Sequence, residues 1–125
     1  MDEVQRLRLV SRQLRDIQVQ AEKILKEDSS LDEIDAFGSY TRELKQFILR
    51  NFPSEEIIKT TNEIPEELYS VKTRDVALTG LAAFLVPTFI LSSLSELRLK
   101  KESRENINLI RSKFGTVEFL IKATY

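Results

Sequence analysis

Leu7, Val10, Leu14, Ile17, Ala21 and Ile24 recur at alternating steps of three and four residues, the spacing of a heptad seam. Arg, Gln, Glu and Asp fill most of the positions between them, so only one face of the resulting helix is apolar. The pattern predicts a helix over residues 3–27, some ~37 Å long at 1.5 Å per residue. Three heptads are short for an independent coiled coil, so the seam is expected to dock on the chain's own bundle.

Two further helices are punctuated locally. Ser30-Leu31-Asp32-Glu33 reads as a capping box, in which the Ser30 hydroxyl accepts from the Glu33 amide. The helix it opens runs to about Asn51 with Ile34, Phe37, Leu44, Phe47 and Ile48 inward, and Pro53 stops it. Gly38 within it costs ~1 kcal/mol against alanine and is expected to mark close helix packing. Ser54-Glu55-Glu56 opens a short helix to about Thr61, and Pro65-Glu66-Glu67 repeats the same start signal. Residues 52–70 are therefore a connector of short helical turns.

From Val76 to Ser95 there is no charged residue, and Pro87 interrupts the run. Its length matches the ~20 residues of a bilayer span, with basic residues following it. Two short helices in a bundle core explain the same letters, and a core is the expected role. Ile107, Ile110 and Phe114 then mark a last amphipathic stretch ending near Gly115. Residues 116–125 alternate in part and fit strand or helix, with helix expected. The fold expected is all-α, a bundle of about four to six helices with a long N-terminal amphipathic helix. One domain spans 1–125, with an acidic half at 1–69 and a basic half at 70–125.

Composition narrows the chemistry. The chain has no Cys and no His, which excludes disulfides, thiolate nucleophiles, catalytic triads and the usual zinc, iron–sulfur and Glu-x-x-His metal sites. No secretory signal is legible, and the cytoplasm is the expected compartment. The acidic half carries 10 basic and 15 acidic side chains, and the basic half carries 9 and 5. Such a division fits a face for a polyanion, head-to-tail packing between copies, or pairing within the chain.

Arg8, Arg12 and Arg15 form one stripe roughly opposite the heptad seam, suited to a nucleic-acid backbone or to plain solvation beside Asp16, Glu22 and Glu27. Arg98, Lys100, Lys101 and Arg104, with Arg111 and Lys113 beyond, form a second basic group that contacts phosphates or complements a helix end. The pairs Asp32/Asp35, Glu55/Glu56 and Glu66/Glu67 fall in first helical turns, where carboxylates stabilise the helix without catalytic work. Tyr40, Tyr69 and Tyr125 sit at apolar faces and are expected to pack there rather than stack on bases. No Gly-rich phosphate loop is present. No catalytic residue, metal ligand or cofactor is expected.

A helical bundle of this length, without Cys or His and with these separated basic groups, resembles in outline the small subunits of CRISPR effector complexes. Members of that family line up in several copies along a larger backbone subunit and steady the guide duplex or the displaced strand. The resemblance covers length, helix content and charge layout, without a motif. It implies a part in antiviral defence, and that Arg8, Arg12, Arg15, Arg98, Lys100, Lys101 and Arg104 include the phosphate contacts. HEPN-type ribonuclease toxins are also small helical bundles, but a chain without His cannot carry their Arg–His motif. The expected function is that of a non-catalytic subunit of a multi-protein assembly. Its expected partners are other subunits, copies of itself and a DNA or RNA backbone. A membrane protein anchored by residues 76–95 is the alternative.

Overall fold

The computed structural model describes residues 2–68 and 88–125 and, within 88–96, the backbone alone. The described residues form four helices and no strand: α1 (Glu3–Lys26), α2 (Leu31–Asn51), α3 (Glu55–Asn62) and α4 (Thr88–Thr124). Residues 69–87, including Tyr69 and most of the uncharged run at 76–95, lie outside them. Among the described residues no helix is long and apolar enough to cross a membrane.

α1 starts and stops where local chemistry demands. Asp2 accepts from the Gln5 amide at 2.8 Å while the Gln5 side chain accepts from the Asp2 amide at 3.2 Å. This reciprocal cap closes two otherwise orphaned donors. Val10, Leu14, Ile17, Ala21 and Ile24 are buried, as the heptad spacing requires. Ser30 caps α2 through the Glu33 amide at 3.2 Å, and Asp32 and Glu33 occupy its first turn. α3 has Ser54 at its N-cap position without a side-chain bond, with Glu55 and Glu56 in its first turn.

The core seam is shared by α1 and α4. On α4, Ile107, Ile110, Phe114, Val117 and Ile121 are all buried, again at steps of three and four. The two helices run antiparallel: Asp28 meets Lys100, Leu25 meets Arg104, Glu22 meets Arg111, and Gln18 faces Gly115. Each buried Leu, Ile or Phe contributes roughly 1.5–3 kcal/mol of transfer free energy, so this seam dominates the bundle. α2 packs Ile34, Phe37, Leu44 and Ile48 onto it, and α3 adds Ile57. Phe47 is only partly buried at its margin.

Two local expectations give way to longer-range packing. α4 does not end near Gly115. It continues to Thr124, and Val117 and Ile121 extend the buried seam through the residues where strand was the other option. The glycine's propensity cost is ~1 kcal/mol, less than the burial of those two side chains.

Pro65-Glu66-Glu67 opens no helix among the described residues; residues 63–68 form turns and bends. Their carbonyls bond to side chains instead. Ile64 accepts from Lys45 at 2.9 Å, Glu66 from Arg42 at 3.1 Å, and Leu68 from Asn106 at 2.6 Å. With Ile64 and Leu68 buried between them, this strap ties α2 to α4. The close approach at Gly38 is to the strap rather than to a second helix: a Cβ there would lie 3.3 Å from Leu68 Cδ1.

Candidate nucleic-acid interface

The outer face of α1 carries the first group of candidate contacts. Helical geometry places Arg8, Arg12 and Arg15 opposite the buried seam, and all three are exposed. Val19, 57% exposed, continues the row by one turn. Successive arginines are separated by rises of ~6 and ~4.5 Å along the axis. With Leu7 and Ser11 they line a cleft of about 500 Å³.

Two of the carboxylates near this row have partners of their own. Glu22 lies 3.9 Å from Arg111 on α4. Asp16 accepts from Gln20 at 3.0 Å and faces the Tyr40 hydroxyl. Among the described residues, no ion pair or hydrogen bond engages the guanidinium of Arg8, Arg12 or Arg15. The row therefore presents three guanidinium forks without a partner among the described residues, each able to take a phosphate oxygen pair.

The second group is divided by the fold. Lys100 bonds Asp28 at 3.1 Å, and Arg104 donates to the Leu25 carbonyl at 2.7 Å, so both fasten α4 to the end of α1. Arg111 pairs with Glu22, and Lys113 with Glu63. Much of the charge division between the halves is thus met by pairing within the chain. Arg98 and Lys101 remain exposed on α4. Lys100 pairs at residue 28, thirteen residues beyond Arg15, so the two basic groups stand ~20 Å apart along the bundle.

Other candidates have structural employment. Glu66 lies 3.4 Å from Lys45, whose side chain is buried. Among the described residues, no three carboxylates gather where a metal ion could sit. Tyr40 is partly buried, its hydroxyl 3.5 Å from the Gln13 carbonyl. Burial, and then the Asp16 carboxylate, push its pKa up to about 12. Tyr125 packs edge-on against Phe52, with ring centroids 5.3 Å apart. Lys113 holds the Glu63 carboxyl below its usual range.

Sequence reasoning passed over Lys45 and Ser29. Lys45 lies beside Ile48 and Leu44 on the apolar side of α2, and that position was the available signal of burial. Ser29 precedes the Ser30 cap and carries no local pattern; only the tertiary fold buries it. No known protein family, curated protein or solved structure matches the chain.

Proposed function

We propose that the chain is a non-catalytic helical subunit of a multi-protein assembly that contacts a nucleic-acid backbone through the outer face of α1. The observation that carries this reading is the exposed row Arg8–Arg12–Arg15, whose guanidinium groups have no ion-pair or hydrogen-bond partner among the described residues. Lys101 and Arg98, exposed near the other end of the bundle, offer a second, separate pair of cations. Lys100 and Arg104 contribute by holding α4 against α1.

A formal charge of −1 makes a single copy a weak polyanion binder. Several copies on one strand multiply that affinity without any new contact. A cytoplasmic nucleoprotein complex, such as a CRISPR effector in antiviral defence, is the setting this reading favours, with neighbouring subunits or further copies as partners. Affinity purification of the tagged chain from its native cells, with and without nuclease, tests it. Stoichiometric partner proteins together with nucleic acid are expected. Recovery of the chain alone under both conditions would dismiss the assembly reading.

A further inference from the structure

Between Asn108 and Phe119 every exposed position on α4 is uncharged: Asn108, Leu109, Ser112, Thr116 and Phe119. The charged residues of the same stretch, Arg111, Lys113 and Glu118, are half-buried at its flanks and pair with Glu22, Glu63 and Lys122. Phe119 is 70% exposed and Leu109 43%. The chain is 31% charged, so an outward helix face of about three turns without a charge is not what solvation requires.

The chain's own segment at 69–87 cannot cover Phe119. It leaves from Leu68, whose carbonyl is bonded to Asn106, and rejoins at Thr88, where α4 begins. A detour by way of Phe119 runs ~20 Å along α4 from Asn106 and ~47 Å back to Thr88, at 1.5 Å per residue. A fully stretched chain gains at most ~3.6 Å per residue. Residues 69–87 drawn out straight would barely touch Phe119 and could not pack on it.

The stripe is self-complementary. Leu109 and Phe119 lie five residues either side of Phe114, and Ser112 and Thr116 two either side. When two copies of α4 cross antiparallel at the level of Phe114, Leu109 of each comes level with Phe119 of the other, and Ser112 with Thr116. The small pair then sits at the crossing, where the backbones approach most closely, and a large pair closes each end. No charge beside the two-fold axis meets its own image, the repulsion that a charged face would suffer in such a contact. The Thr116 hydroxyl donates to the Ser112 carbonyl at 3.3 Å, so it enters a dry contact with its donor satisfied.

We infer that this stripe of α4 is a homodimer interface, in which two copies pack antiparallel through Leu109, Ser112, Thr116 and Phe119. It names one partner that the assembly reading leaves open, and it rests on α4 alone rather than on the arginines of α1. One helix from each copy makes a small interface, so the dimer should be weak and concentration-dependent.

The test is sedimentation equilibrium of nuclease-treated protein over a concentration series, where a reversible monomer–dimer equilibrium is expected. Phe119→Asp should weaken it about 100-fold or more, because two buried rings are lost per dimer, while the Tm of the dilute protein stays near the parent's. Val4→Asp, at a residue 56% exposed on α1, should leave the equilibrium unchanged. Disulfides read the register, since the chain has no cysteine of its own. Oxidising a mixture of Ser112→Cys and Thr116→Cys chains should give the mixed cross-link in preference to either like pair. A monomer at millimolar concentration, a dimer unaffected by Phe119→Asp, or preferential like pairs would overturn the proposal. A monomer that still co-purifies with other proteins would remove the dimer and leave the assembly reading in place.

Discussion

Lys45 Nζ lies 2.9 Å from the Ile64 carbonyl oxygen and 3.4 Å from the Glu66 carboxylate, buried under the strap that follows α3. This one side chain satisfies a backbone acceptor that a helix would have satisfied itself. Lys45→Met keeps the length and the apolar stem but strands the Ile64 carbonyl, so it should lower stability by about 1–3 kcal/mol. Urea unfolding with an unchanged m-value is the check. Stability equal to the parent's would mean that another donor reaches Ile64.

The two helical glycines should respond differently to alanine. At Gly115 the new Cβ would meet, among the described residues, only the end of the Gln18 side chain, at 3.4 Å, so the gain in helix propensity should emerge as about 0.5–1 kcal/mol of added stability. At Gly38 the same Cβ would press Leu68 at 3.3 Å and disturb the strap, cancelling that gain. A paired denaturation series should therefore rank Gly115→Ala above the parent and Gly38→Ala at or below it.

Tyr40 sets an alkaline limit. Its pKa of about 12 in the fold lies above the ordinary 10.0, so between those values the unfolded chain loses the phenolic proton first. Stability then falls as pH rises through this window, with no contribution below it, where both states keep the proton. The difference in unfolding free energy between the parent and Tyr40→Phe should be flat below pH ~10 and slope above it. A flat difference up to pH ~12 would contradict this environment for the phenol.

Helices whose signals are local were legible in the sequence. The seam from Leu7 to Ile24 fixed α1, Ser30 and Glu33 fixed the start of α2, and Pro53 its end. The strap at residues 63–68 was not legible, because the donors that replace its helical bonds are Lys45, Arg42 and Asn106, at least nineteen residues away. The run of α4 through Gly115 was likewise decided by burial against α1 rather than by the glycine's own preference. Of the candidate contacts, the row on α1 could be read as one stripe from spacing alone. The ion pair of Lys100 and the bond of Arg104 to Leu25 depend on which helix packs there, information that no window of sequence contains.

The most direct test of the α1 interface is the salt dependence of oligonucleotide binding by the parent and by Arg8→Glu/Arg12→Glu/Arg15→Glu. Each lost phosphate contact lowers the slope of log K against log salt by about 0.9 on duplex or 0.7 on single strands. The triple variant should therefore bind far more weakly, with a slope lower by about two to three, while its Tm stays near the parent's. Equal affinity and an equal slope in the two proteins would contradict the account and leave the arginine row as an ordinary solvated face.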